Sequence, residues 1–278
     1  MPLSAATDGF RLAYDRHGDP GAPPVLLLHG WPGDRTDMTA VAERLTPAHD
    51  VVVPDLRGFG DSDRPAEVEH YRMRALAADV LGVADALGID RFALAGHDWG
   101  ASLGWALTLA SPRVTRYAAF SVGHPAAFAT AGFRQKAMSW YMLWFQFPGV
   151  AEQVIPADDW RFLRGWLHAT LPEGHPMAAR QLADLSRPGA LTSSLNWYRA
   201  NIDPATFVPT TIPRPPRITV PTMGVWSDGD LALTEGQMRG SSAYVDDFRF
   251  ELVEGCGHWI PEEAPETASA LLADFLAG

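Results

Sequence analysis

Between Pro24 and Leu28 the chain is apolar at every position, and the same holds at 51–53; neither run alternates. A strand with one wet face alternates apolar and polar side chains, whereas a continuous apolar run fits a parallel sheet covered on both faces. Residues 92–95, running into Gly96-His97, give a third strand, and 116–122, 220–226 and 248–253 complete the predicted set. Helical patterns lie between them. Residues 71–87 put Leu76, Val80, Val83 and Leu87 on one stripe, the spacing of a helix face turned to a core. Residues 101–110 and 265–276 read as helices too. Strands alternating with helices predict a doubly wound α/β sheet.

The alternation stops between residues 126 and 216, where helical patterns dominate. This stretch ends in Pro213-Arg214-Pro215-Pro216, a stiff connector back to the sheet. We therefore expect a helical cap at 126–216 inserted in an α/β core formed by 1–125 and 217–278. Eight aromatic residues fall between Trp140 and Trp166. Most should pack cap against core, and a minority should line a pocket at that junction, where ligand sites favour apolar walls.

Composition narrows the function classes. The 278 residues are 47% hydrophobic and 20% charged, an ordinary globular balance. The formal net charge is −11, from 33 acidic and 22 basic residues. Such a surface repels phosphate backbones and anionic lipid, so neither nucleic acid nor membrane is an expected partner. No apolar run is long enough to span a bilayer. The single cysteine, Cys256, excludes an internal disulfide and any multi-cysteine metal site. The segment from Met1 to Asp8 has neither a basic region nor an apolar stretch, so a signal peptide is not expected and a cytoplasmic location is. Lys136 is the one lysine among many arginines, a bias of GC-rich bacterial genomes.

The chemistry concentrates where strands end. Gly96-His97-Asp98-Trp99-Gly100 follows a buried strand and opens a helix, the setting of a nucleophile elbow with aspartate in place of the usual serine. Its glycines leave room for the sharp turn. Asp98 could instead be a plain helix cap, since aspartate is favoured there. The order nucleophile, acid, base continues after the last two strands. Trp226-Ser227-Asp228-Gly229-Asp230 offers two acids, with Asp230 favoured because Asp228-Gly229 reads as the turn itself. Gly255-Cys256-Gly257-His258-Trp259 supplies the base, His258. The alternative acid position after the strand preceding the cap, 121–125, holds no carboxylate. His29-Gly30-Trp31-Pro32-Gly33 follows the first long strand. Its Trp31 N–H and that of Trp99, next to the nucleophile, are the expected oxyanion donors. The charges of the segment 55–62 are expected to be structural.

On these motifs the sequence resembles the epoxide hydrolases of the α/β-hydrolase superfamily over nearly its whole length. The family's His-Gly-x-Pro falls on His29 to Pro32, its Arg-Gly-(Phe/Tyr)-Gly-x-Ser on Arg57 to Ser62, and its aspartate elbow on Gly96 to Gly100. Its two ring-opening tyrosines match Tyr141, four residues before Phe145-Gln146, and Tyr198, within Leu195-Asn196-Trp197-Tyr198-Arg199. Phe147 replaces a common glutamate, and Gly255 a common aspartate. The resemblance implies an α/β-hydrolase fold with a mostly parallel sheet flanked by helices and an inserted helical cap. It implies a small-molecule epoxide as substrate and no cofactor or metal, and the aromatic-rich cap points to a largely apolar one.

The implied reaction suits the residue types. An ionised Asp98 attacks a strained ring carbon and forms an alkyl ester. Tyr141 and Tyr198 donate to the departing oxygen, and water activated by His258, oriented by Asp230, hydrolyses the ester to a vicinal diol. A haloalkane or haloacid dehalogenase would use the same Asp98. Halide leaves without a proton, however, and the haloalkane enzymes often carry asparagine at the Trp31 position, the fluoroacetate enzymes arginine at Trp99. A non-catalytic binding protein on the same fold is the rival outside enzymes. A serine esterase lacks its nucleophile here.

Overall fold

The computed structural model describes the backbone of residues 3–7 and all of residues 9–211 and 214–278; Met1, Pro2 and Asp8 of the N-terminal segment and Pro213 of the connector lie outside the described residues. Eight strands form one sheet: β1 (Leu3–Thr7), β2 (Phe10–His17), β3 (Pro24–Leu28), β4 (Asp50–Pro54), β5 (Phe92–His97), β6 (Val114–Phe120), β7 (Thr222–Ser227) and β8 (Phe248–Val253). Their order is β1-β2-β4-β3-β5-β6-β7-β8. β2 pairs antiparallel with β1 and β4, and every other pairing is parallel.

The continuous apolar runs have the expected cause. Val25 and Leu27 of β3 enter one core cluster with Val51 and Val53 of β4, while Leu26, Leu28 and Val52 enter another on the opposite face. The first cluster is closed by α1 (Thr39–Leu45), through Val41 and Leu45, and by the C-terminal helix Pro265–Ala277, through Ala268 and Leu272. The second is closed by α2 (Met73–Ala86) and α3 (Trp99–Ala110), through Leu76, Val80, Val83, Leu103 and Leu107. Because side chains alternate across a strand, a strand covered on both sides must be apolar throughout.

Between β6 and β7 the chain is helical: α4 (Pro125–Thr130), α5 (Phe133–Met138), α6 (Trp140–Trp144), α7 (Val150–Val154), α8 (Ala157–Gly165), α9 (Pro176–Leu185) and α10 (Ala190–Asn201). No helix among the described residues is long and apolar enough to cross a membrane. The predicted strand at 116–122 begins and ends two residues earlier as β6, and the one at 220–226 starts two residues late as β7. The predicted helix at 71–87 divides at Arg72, whose extended backbone separates a 3-10 turn, Val68–Tyr71, from α2.

The loop after β4 is tied down by charge. Arg57 donates to Asp79 Oδ2 at 2.8 Å and Oδ1 at 2.6 Å, and to the His70 carbonyl at 2.8 Å. Its guanidinium lies 4.2 Å from the Phe10 ring centroid. Both side chains are buried, at 1% and 2% exposure. Asp55 is buried with them, against Arg35. Arg57→Ala should lower unfolding stability by about 3–5 kcal/mol, because the Asp79 carboxylate loses its guanidinium. Urea denaturation checks this, and a loss below about 1 kcal/mol would deny the pair that weight.

Candidate active site

Asp98 stands at the turn from β5 into α3 with φ 51° and ψ −117°. This backbone is strained for any residue with a Cβ, and such strain concentrates at functional sites. The turn is tight because backbones meet there. A Cβ on Gly100 would come within 2.3 Å of the Leu28 carbonyl oxygen, and one on Gly30 within 2.4 Å of the Asp98 Cβ. Asp98 occupies the N-cap position, yet its side chain makes no cap hydrogen bond to α3. It instead accepts from the Trp31 N–H at 2.8 Å through Oδ1. Its Oδ2 lies 3.7 Å from His258 Nε2.

His258 follows β8, and its Nδ1 lies 2.9 Å from Asp230 Oδ2. Asp230 Oδ1 accepts from the N–H groups of Ala232 and Leu233 at 2.8 and 2.9 Å. Asp228 is exposed; its Oδ1 accepts from the Gly255 N–H at 2.8 Å and ties together the loops after β7 and β8. Trp31, in the loop after β3, and Trp99, the first residue of α3, flank Asp98. The Trp99 N–H is in the first turn of α3, where no intrahelical acceptor exists.

Burial alone would raise the Asp98 carboxyl. The charge of His258, 3.7 Å away, and the hydrogen bond from the Trp31 N–H outweigh burial and hold it below the usual carboxylate range. Burial would likewise lower His258, but the Asp230 charge and hydrogen bond, then Asp98, push it up to about 10. The two shifts favour the charged form of each, carboxylate at Asp98 and imidazolium at His258. Burial raises both the Tyr141 and Tyr198 hydroxyls well above the ordinary phenol value, and the negative charge of Asp98 adds to this. Both phenols stay protonated as donors.

Asp98, Trp99, Tyr141 and Tyr198 share the wall of one cavity of about 380 Å³. The Asp98 side chain keeps 13% exposure, so its carboxylate is reachable. The tyrosines come from α6 and α10, with ring centroids 5.9 Å apart. Most of the remaining wall is apolar, including Val122, Phe128, Met142, Ile202 and Leu233. Among the described residues no cluster of three His, Cys, Asp or Glu side chains is placed to hold a metal.

A family model for the alpha/beta hydrolase fold matches residues 23–265. Epoxide hydrolase A of Mycobacterium tuberculosis is 33% identical, with 98% of this chain and 96% of the relative covered. The chain belongs to the epoxide hydrolases of the α/β-hydrolase superfamily. Mouse epoxide hydrolase 4 is 30% identical over 96% of this chain and 77% of its own. The crystal structure of epoxide hydrolase A from Mycobacterium thermoresistibile is 29% identical, covers 100% of this chain and 98% of its own, and superposes with a TM-score of 0.85.

Within this epoxide hydrolase the family motifs have visible work. Gln146, of the Phe145-Gln146 pair, donates to the Tyr198 carbonyl at 3.2 Å and to that of Met142 at 3.0 Å. Arg199 donates to the Phe145 carbonyl at 3.0 Å and pairs with Glu152 at 2.7 Å. The segments carrying the two tyrosines are thus fastened to each other on both sides. Phe147, where glutamate is common, is 59% exposed, and nothing in the structure explains the change. Gly255, where aspartate is common, has φ +68° with open space around it.

Two neighbours of His258 escaped sequence reasoning. His97 Nε2 lies 2.9 Å from the His258 carbonyl oxygen, to which Ser121 Oγ also donates at 3.1 Å. Burial lowers His97 to about 4, so it is neutral. His97 sits inside the elbow motif, which was a usable signal. Ser121 carried none beyond its place after a strand.

Proposed function

We propose that this chain converts a small, mainly apolar epoxide and water into a vicinal diol, through an ester on Asp98. The observation that carries the reading is one reachable carboxylate sharing a cavity wall with two protonated phenols, with a His–Asp pair behind it. Residues 126–216 act as a cap carrying Tyr141 and Tyr198 over a core formed by 1–125 and 217–278.

In the resting site Asp98 is an anion and His258 a cation. Oδ2 attacks a ring carbon in line, the C–O bond of the ring breaks, and Tyr141 or Tyr198 passes its proton to the departing oxygen. The resulting tyrosinate is reprotonated from His258. This transfer is helped because esterification erases the Asp98 charge, one of the two anions that hold the His258 proton. Neutral His258, oriented by Asp230, then takes a proton from water, and hydroxide adds to the ester carbonyl. The oxyanion forms on Oδ1, which already accepts from the Trp31 N–H, and the Trp99 N–H, free of any intrahelical acceptor at the start of α3, is the second donor. Its collapse breaks the ester C–O bond, the departing diol oxygen takes the proton of the hydroxyl that water added, and carboxylate and imidazolium are restored, so no proton is gained or lost over the cycle. No step calls on a metal or organic cofactor. The arginine-rich, acidic composition and lone buried thiol support a bacterial cytoplasmic enzyme.

Single turnover in oxygen-18 water tests the scheme. The first diol should be unlabelled, because its new hydroxyl oxygen comes from Asp98, and the label should appear in the Asp98 carboxylate. Labelled diol in the first turnover would mean direct attack by water.

A further inference from the structure

Lys136, the chain's one lysine, lies on α5 and contributes to the wall of the same cavity as Asp98. A lysine on a helix normally carries its ammonium out to water. Here Nζ instead donates to the Phe128 carbonyl at 3.1 Å. It lies 4.9 Å from the Phe128 ring centroid and 5.1 Å from that of Phe207, both also lining the cavity. Among the described residues no carboxylate pairs with it, in a chain with 33 acidic residues. The residue is half-buried, and its burial pulls the ammonium below the usual lysine range.

A cation held by one carbonyl and two aromatic faces is fixed in place but keeps donor capacity, since an ammonium has three N–H groups. The contacts of Lys136 are with Phe128 and Phe207, not with Asp98 or the two tyrosines. A group bound at Lys136 is therefore separate from the reacting ring.

We propose that Lys136 binds an anionic end of the substrate, so that the preferred epoxide carries a carboxylate away from the ring on an otherwise apolar frame. This rests on the reading of the site as an epoxide hydrolase and assigns its substrate class. One ammonium matches a monoanion. A phosphate would call for more cations or a bidentate arginine, and no arginine lines this cavity among the described residues. The apolar stretch of wall formed by Met142, Ile202 and Phe207 suits the frame between ring and carboxylate.

The test uses a terminal epoxide on a straight alkyl chain ending in a carboxylate, and its neutral N-methylamide. The wild type should favour the carboxylate in kcat/KM. Lys136→Met, which keeps the apolar stem, should raise KM for the carboxylate by about 10- to 100-fold, the weight of a charge-assisted contact, and change the amide less than about threefold. Lys136→Arg should recover most of the preference. An acid-to-amide ratio equal in wild type and Lys136→Met overturns the proposal. The saturated carboxylate without an epoxide gives a readout free of turnover. By calorimetry it should bind wild type at least about tenfold more tightly than Lys136→Met, and equal affinities also overturn the proposal. If neither epoxide is hydrolysed while the saturated acid still discriminates the two proteins, the activity reading fails and the anion site stands.

Discussion

Asp98→Asn should lower kcat/KM for any epoxide the wild type turns over by about 10,000-fold or more, the scale of losing a covalent nucleophile. The amide keeps the shape of the carboxylate and an acceptor for the Trp31 N–H, so the elbow should hold. Asparagine also tolerates the positive φ of 51° at this position better than alanine does. Unfolding temperature should stay within a few degrees, because the Asp98 side chain caps no helix N–H whose loss would destabilise α3. The partner variant His258→Gln should behave differently. Asp98 can still attack, but the ester has no base to remove it. One equivalent of epoxide should disappear in a burst, and the protein mass should rise by the mass of the substrate. Activity of Asp98→Asn within tenfold of wild type would remove the carboxylate from the reaction. A burst in Asp98→Asn equal to that in His258→Gln would place the ester elsewhere.

The placing of Asp98, Asp230 and His258 together was readable because each follows the end of a strand that the sequence announces. Asp98 follows β5, Asp230 follows β7 and His258 follows β8, so a one-dimensional reading of strand ends already brings them to one edge of the sheet. β3 was legible to the residue because a parallel strand covered on both faces has few alternative readings, and β8 was too, although it is the edge strand and mostly half-buried. β1 and β2 were not. Phe10–His17 mixes arginine, aspartate and histidine with its apolar residues, and its place is set by antiparallel pairing with β4 far along the chain, at Arg16↔Val52 and His17↔Val51. The helices from α4 to α10 are short, and several of their apolar side chains face a cavity rather than a core, so their periodicity is blurred. Tyr141 and Tyr198 entered through family resemblance, since an aromatic residue on a helix carries no sign of facing a carboxylate. Ser121 and Lys136 were silent for a different reason. Ser121 acts on a carbonyl 137 residues away, and Lys136 matters through the aromatic faces that α4 and the segment around Phe207 bring to it.

Tyr141→Phe combined with Tyr198→Phe should reduce ring opening by at least about 1,000-fold, while either change alone should cost about 10- to 100-fold. The reasoning is electrostatic. Opening the ring turns an ether oxygen into an alkoxide within reach of Asp98, an anion already buried there. Water is a poor substitute as proton donor in a wall that is mostly apolar. Both hydroxyls are held protonated by burial and by Asp98 and both residues line the cavity, so in the proposed reaction two donors are available to the developing charge and either can partly replace the other. The same feature makes the double change more than the sum of the singles, and a double-mutant cycle measures that coupling. Phenylalanine preserves the ring packing of Tyr141 on Trp166, at 4.8 Å, and of Tyr198 on Trp99, at 5.0 Å, so the cavity shape should survive. A haloalkane would test the same donors in reverse, because halide leaves without a proton. A double variant that still opened epoxides within tenfold of wild type would show that the phenols are wall and not acid, and the departing oxygen would need another donor.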